Sequence, residues 1–124
     1  MEHSILVVDD EVMTRDLIRM MLERVGFSVR EAEDGVDALR KLEDDGSPDV
    51  FILDVMMPNM DGYTLCRELR KRLDTAHLPV IMLSAKTQDT AVQEGFAAGA
   101  TKYLTKPISR IDLIANLKEV LGLS

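Results

Sequence analysis

The chain has 124 residues, is 46% hydrophobic and carries a formal net charge of −7, from 22 acidic against 15 basic residues. A chain of this length buries about two-thirds of its unfolded surface, enough for one core without disulfide or metal staples. The acidic balance argues against a nucleic-acid-binding surface, which needs a basic face, and no apolar run is long enough to span a membrane.

Short apolar runs rich in β-branched residues alternate with longer amphipathic ones. The first, Ser4–Val8, ends at Asp9, Asp10 and Glu11. Its apolar part is too short for a signal peptide, so the expected location is the cytoplasm. Over Thr14–Val25 the residues Leu17, Ile18, Met21, Leu22 and Val25 recur at helical spacing before Gly26. Ser28–Ala32 reads as a second strand and Val36–Leu42 as a second helix, closed by Asp44-Asp45-Gly46-Ser47-Pro48. The third strand, Val50–Leu53, runs without polar alternation into Asp54. Pro58 and Asp61-Gly62 make Met56–Gly62 a loop before a helix around Tyr63–Leu73.

The fourth strand, Pro79–Leu83, leads to Ser84. A helix over Thr90–Ala98 stops at Gly99, Thr101–Leu104 is the fifth strand, and Ile108–Leu121 the last helix. The lone Cys66 excludes an internal disulfide and fits a reducing compartment, as an inert packed thiol in a helix. His3 and His77 lack zinc-ligand spacing. Most of the eight methionines fall at core spacing or beside the pocket, which favours packing over a promiscuous binding face. Gly95 and Gly99 form GxxxG outside any apolar span, so they read as a helix end.

Strand–helix alternation implies parallel βαβ units with right-handed crossovers. Five units are too few for an eight-fold barrel, so the chain predicts an α/β, doubly wound, flavodoxin-like sheet of order 2-1-3-4-5, one domain over residues 1–124. In such a sheet ligands bind beyond the carboxyl ends of the strands. Those ends hold Asp9 and Asp10, Asp54, Ser84 and Lys106. Singly each has a plain reading: the acidic trio caps a helix, Asp54 sits in a turn, Lys106 is a solvated charge. Together they are harder to dismiss. With the first and third strands adjacent, roughly 4.8 Å apart, three carboxylates converge and repel unless a cation is present. Oxygen-only ligation with spare positions suits Mg²⁺. Carboxylate, hard cation, ammonium and hydroxyl are the parts that stabilise a transferring phosphoryl group.

The stretches ILVVDDE, FILDVMMPNMDG, PVIMLSAK and GATKYLTKPIS, in this order, resemble the response-regulator receiver family of two-component systems over essentially the whole chain. The resemblance implies that Asp54 is the phosphoacceptor. Asp9, Asp10, Asp54 and the Met56 carbonyl would hold Mg²⁺, Asp10 directly and Asp9 mainly through water. Ser84 and Lys106 would contact the phosphoryl group, with a cis bond before Pro107. Ser84 and Tyr103 would be the switch pair, and Met56 and Lys86 the variable positions that tune phosphoryl lifetime. The implied function is a phosphorelay switch: a histidine kinase or phosphotransfer protein phosphorylates Asp54, and the partner-binding surface changes. The implied protein is a phosphoacceptor that catalyses only its own phosphorylation and dephosphorylation. Its further partner is a downstream protein or an output domain outside this chain, with no contact to nucleic acid or membrane. The face of the fourth helix, fifth strand and fifth helix would carry the output, and two copies could pair there. A stand-alone receiver and a piece of a longer regulator both remain open.

Two other functions compete. A haloacid-dehalogenase-type phosphohydrolase resembles Asp-x-Asp, but its second carboxylate falls here at Met56, which transfers no proton. A flavodoxin-like cofactor module fits poorly with 4% aromatic residues, no tryptophan and an acidic pocket. No glycine-rich phosphate loop follows the first strand, so a nucleotide-binding reading has no anchor.

Overall fold

The computed structural model describes residues 3–123. Among them strands and helices alternate as β1 (Ser4–Val8), α1 (Val12–Glu23), β2 (Ser28–Ala32), α2 (Gly35–Asp45), β3 (Val50–Leu53), α3 (Gly62–Lys71), β4 (Val80–Ser84), α4 (Asp89–Ala97), β5 (Lys102–Thr105) and α5 (Arg110–Leu121). The strands form one parallel sheet ordered β2-β1-β3-β4-β5, the doubly wound order expected from the sequence.

Alternation along the central strands sorts their side chains into two cores. Leu6, Val8, Phe51, Leu53, Val80 and Met82 meet Ala38 and Leu42 of α2 and Leu65 and Leu69 of α3. On the other face Ile5, Val7, Val50, Ile52, Ile81 and Leu83 meet Ile18 and Leu22 of α1 and Leu113 and Leu117 of α5. Each large aliphatic side chain buried this way contributes about 1.5–3 kcal/mol. With both faces covered, β1, β3 and β4 read as unbroken apolar runs. The edge strands β2 and β5 are only half-buried and carry Arg30, Glu31 and Lys102.

Several boundaries differ from the sequence reading, mostly because caps decide them. Helix α1 starts at Val12 rather than Thr14, and Leu17 and Val25, expected on its core face, are exposed. Val12, Met13, Leu17 and Met20 form a second apolar stripe that faces outward, while Ile18, Met21 and Leu22 pack inward as their spacing predicts. Helix α2 runs past Leu42 to Asp45, capped by Asp34 at its start and ended by Gly46 at φ +80°. Helix α3 ends at Lys71, leaving Leu73 exposed in the following turn. Helix α4 lies one residue earlier than expected at both ends. Helix α5 begins at Arg110 rather than Ile108, because the Ser109 hydroxyl accepts the Asp112 amide (3.1 Å). Strand β4 starts at Val80, after Pro79, and β5 at Lys102, after Thr101 accepts the Val80 amide on its hydroxyl (3.0 Å).

The packing expectation for the methionines holds only in part. Met82 is buried and Met21, Met57 and Met60 pack at the core margin, but Met13, Met20 and Met56 are exposed; Met1 lies outside the described residues. Cys66 is buried and unpaired, and burial pushes its thiol pKa up, as suits an inert thiol. Among the described residues no helix is long and apolar enough to cross a membrane.

Candidate functional site

Strand register builds the site. Val8 of β1 is the partner of Leu53 of β3, so the residues that follow them, Asp9 and Asp54, emerge side by side. The Asp54 amide donates to the Val8 carbonyl (2.9 Å) and extends the ladder to the acid itself. Ser84 pairs with Thr105 across β4 and β5, and the Lys106 amide donates to the Ser84 carbonyl (2.8 Å). The Lys106–Pro107 bond is cis.

Asp9 is 2% exposed, Asp54 8% and Ser84 1%, whereas Asp10 lies open at the rim. Carboxylate oxygens of Asp9, Asp10 and Asp54 lie within 4.8 Å of one another. Asp9 accepts the Glu11 amide on Oδ1 (2.9 Å) and the Lys106 ammonium on Oδ2 (2.8 Å). Lys106 Nζ also lies 3.6 Å from Asp54 Oδ1, which accepts the Val55 amide (2.8 Å). These residues, with Glu11, Met56 and Ala85, line a cleft of about 390 Å³.

The electrostatics follow from this crowding. Burial, reinforced by the Asp9 charge and more weakly by Asp10, pushes the Asp54 carboxyl up to about 6, although Lys106 and the Val55 amide oppose it. Burial alone would lower the Lys106 ammonium, but its bond to Asp9 and the charge of Asp54 outweigh that and raise it. One ammonium against three carboxylates leaves the cleft with excess negative charge and oxygen donors only. That donor set fits a hard divalent cation such as Mg²⁺. Asp9, Asp10 and Asp54 are the groups at hand to hold it, with Met56 lining the same cleft.

The remaining sequence candidates surround this centre. The Ser84 hydroxyl oxygen accepts the Lys86 amide (3.1 Å), which leaves its proton free for a ligand. The Tyr103 hydroxyl donates to the Lys86 carbonyl (2.9 Å), so Ser84, Lys86 and Tyr103 form one chain of contacts. Met56, 63% exposed, also lines an outer cleft with Lys86 and Asp10. Glu11, at the N-cap of α1, makes no side-chain capping bond, so the capping reading of the acidic trio fails for it.

Sequence reasoning missed several supporting residues. Arg15 donates to the Asp9 carbonyl (2.6 Å) and to Glu31 (3.2 Å). Tyr63 donates its hydroxyl to the Ala91 carbonyl of α4 (3.0 Å). Gly62 passes so close to Asp54 that a Cβ there would lie 2.2 Å from the Asp54 carbonyl oxygen, so only glycine fits. Gly95, read as part of a helix end, instead makes room for Tyr103, whose ring would lie 2.8 Å from a Cβ. The Asp61-Gly62 pair offered a signal for Gly62; the partners of Arg15 and Tyr63 are remote in sequence.

The family model described as "Response regulator receiver domain" matches residues 5–118. The chain is 42% identical over 121 residues to the transcriptional regulatory protein ResD of Bacillus subtilis, covering 97% of this chain and 48% of that protein. It thus spans about half the length of the curated relatives it matches. Among solved structures it is similar to the chemotaxis protein CheY4 of Vibrio cholerae, with a TM-score of 0.91 and 35% identity, covering 98% of this chain and 100% of that one. It is also similar to the receiver domain of the sensor histidine kinase PA1611 from Pseudomonas aeruginosa, with a TM-score of 0.90 and 30% identity over 98% and 99% of the two chains. That structure carries a magnesium ion coordinated in its active-site cleft.

Proposed function

The chain belongs to the response regulator receiver family of two-component signalling, and from that premise we propose that Asp54 accepts a phosphoryl group from a histidine kinase or phosphotransfer protein in a Mg²⁺-dependent reaction. The observation that carries this reading is the convergence of the Asp9, Asp10 and Asp54 carboxylates within 4.8 Å, beside the Lys106 ammonium. An Asp54 oxygen attacks phosphorus as the bond from phosphorus to the donor imidazole nitrogen breaks; that nitrogen keeps the electron pair and is protonated. Lys106 balances charge on the phosphoryl oxygens, and Ser84 donates its hydroxyl proton to one of them. Asp9, Asp10, Asp54 and the Met56 carbonyl would hold Mg²⁺, which when bound would neutralise charge on the carboxylates and the phosphoryl oxygens.

The exposed stripe Val12, Met13, Leu17 and Met20 of α1 offers an apolar surface on which the donor would dock. A cleft of about 420 Å³ leads from Leu17 past Leu83 and Pro107 to Lys106, which supports an approach from that side. Ser84 and Tyr103 pass the change to α4, β5 and α5, a surface that meets a downstream protein, an output domain or a second copy. The chain, one receiver unit over residues 1–124, acts in the cytoplasm, forms and hydrolyses only its own acyl phosphate, and makes no nucleic-acid contact itself.

Incubation with a small acyl phosphate and Mg²⁺ is expected to add one phosphoryl group in intact mass spectra, and Asp54→Asn to abolish it. Undiminished labelling of Asp54→Asn would overturn the assignment. Beryllofluoride with Mg²⁺ is expected to move the resonances of Tyr103 and of α4. Changes confined to the cleft would rule out a switch of this kind.

A further inference from the structure

The loop between β3 and α3 carries Met56 past the acidic cleft and is fixed at both ends. At its start the Asp54 amide is bonded to Val8; at its end the Gly62 amide donates to the Val55 carbonyl (2.8 Å) and Asp61 caps α3 through the Thr64 amide (2.8 Å). Between these anchors stands Asn59 at φ +69°, the one non-glycine residue with positive φ among the described residues. The left-handed region costs most side chains about 1–2 kcal/mol, and asparagine enters it more readily than most. Asn59 Nδ2 donates to Asp34 Oδ2 at 2.9 Å. Asp34 is buried, and its other oxygen accepts the Asp37 amide (2.8 Å) at the start of α2. Next to this bond Met60 lies against Gly35, where a Cβ would fall 2.8 Å from its side chain.

Asparagine alone meets every demand of the position. Glycine would take the backbone angle but offers no donor. Aspartate would take the angle but set a carboxylate against a carboxylate. The Asp37 amide, and after it Asn59, hold the Asp34 carboxyl below its usual range, so the bond from Asn59 is charge-assisted. The loop is thereby seated on the N-terminus of α2 at its midpoint.

We infer that Asn59 is a positioning residue of the metal site: its bond to Asp34 fixes the β3–α3 loop so that the Met56 carbonyl is held toward the Asp9, Asp10 and Asp54 carboxylates. The inference rests on the proposed Mg²⁺ site, and it assigns an outer tier of support to α2, an element that contributes no ligand. Outer partners of this kind typically change metal affinity by about 10–100-fold when removed.

Calorimetric titration of the metal-free protein with MgCl₂ tests it. Asn59→Gly keeps the backbone angle and the charge but removes the donor, and is expected to weaken Mg²⁺ binding by about tenfold. The double variant Asp34→Asn with Asn59→Asp reverses the polarity of the pair. The carboxamide at position 34 still accepts the Asp37 amide and now donates across, at unchanged net charge, and affinity is expected to return close to wild type. Asp10→Ala serves as the control on the site itself. Unchanged affinity in folded Asn59→Gly with Asp10→Ala impaired, or no recovery in a folded double variant, would overturn the inference alone. In a merely structural role, Asn59→Gly would lower the melting temperature and leave affinity untouched. Wild-type protein that takes up no Mg²⁺, or Asp10→Ala that binds it undiminished, would overturn the metal-site reading and the inference with it.

Discussion

Lys106 is bonded to Asp9 rather than to the acceptor: its Nζ lies 2.8 Å from Asp9 Oδ2 and 3.6 Å from Asp54 Oδ1. The ammonium therefore supplies positive charge to the acidic cleft. It pairs with the most buried of the three acids, while burial and then the Asp9 charge push the Asp54 carboxyl up to about 6 against the more distant Lys106. A divalent ion held by Asp9, Asp10 and Asp54 would supply positive charge at the same carboxylates that Lys106 now faces.

The first prediction follows from that competition. Lys106→Ala removes a positive charge from the cation site, so Mg²⁺ affinity is expected to rise on the order of tenfold, about 1.4 kcal/mol. Phosphorylation by a small acyl phosphate is expected to fall below detection in the same variant. Parallel Mg²⁺ titration and intact-mass assays read the two effects, and a loss of Mg²⁺ affinity would contradict the competition.

Stability should depend on pH through Asp54. Its carboxyl is raised in the folded state from 3.8 to about 6, so between these values the folded protein holds a proton the unfolded chain has released. The stabilising share is full below about 3.8 and is lost as pH climbs through about 6. Metal-free Asp54→Asn is therefore expected to exceed wild type by about 2–3 kcal/mol near pH 7.5 and to match it near pH 4. Urea unfolding in chelator at the two pH values checks this; a gap that is equal at both would exclude Asp54 as its source.

Asp10 and Glu11 are neighbours with different expected roles. Asp10 belongs to the carboxylate cluster, whereas Glu11 occupies the N-cap of α1 without a capping bond. Asp10→Ala is expected to weaken Mg²⁺ binding strongly. Glu11→Ala should forfeit only a helix-end charge interaction of about 0.3–1 kcal/mol. Equal losses of Mg²⁺ affinity in the two variants would contradict the geometry.

Phosphoryl lifetime is expected to depend on Met56 and Lys86, which line the outer cleft together. Neither a thioether nor an ammonium is suited to activate an attacking water, and the exposed Met56 would shield a phosphoryl group on Asp54. Met56→Asn combined with Lys86→Gln is expected to speed phosphate loss by about tenfold, or about 1.4 kcal/mol of barrier. Decay of the phosphorylated mass after removal of donor reads the rate, and unchanged or slower loss would show that these positions do not control access.

The sequence revealed most where one physical signal ruled. β1, β2 and β3 stand at the boundaries read from their β-rich runs, and sheet order then brought Asp9 and Asp54 together from opposite ends of a βαβαβ stretch. It revealed least where two signals tied. Helix α1 has two apolar stripes, and only packing against β1 and α5 decides that Ile18 and Leu22 go inside. Side-chain links between remote positions leave no local trace: Lys106 and Asp9 are 97 positions apart, Asn59 and Asp34 are 25. The cap at Ser109 was visible in composition but lost to the apolar Ile108, which packs at the core margin ahead of the helix.

The pairing of Val8 with Leu53 sets the distance between Asp9 and Asp54 from within the sheet rather than from the loops. A slip of one residue in β3 would move Val50 and Ile52 to the wrong core and carry Asp54 one pleat away from its partner. Folding into the correct core and aligning the acids are thus a single event, and a partly slipped chain has no functional form. The interior of β1 and β3 acts as the ruler of the chemistry. A substitution there that keeps the fold but shifts the strands by a fraction of an ångström would announce itself first as altered cation binding, well before any loss of stability.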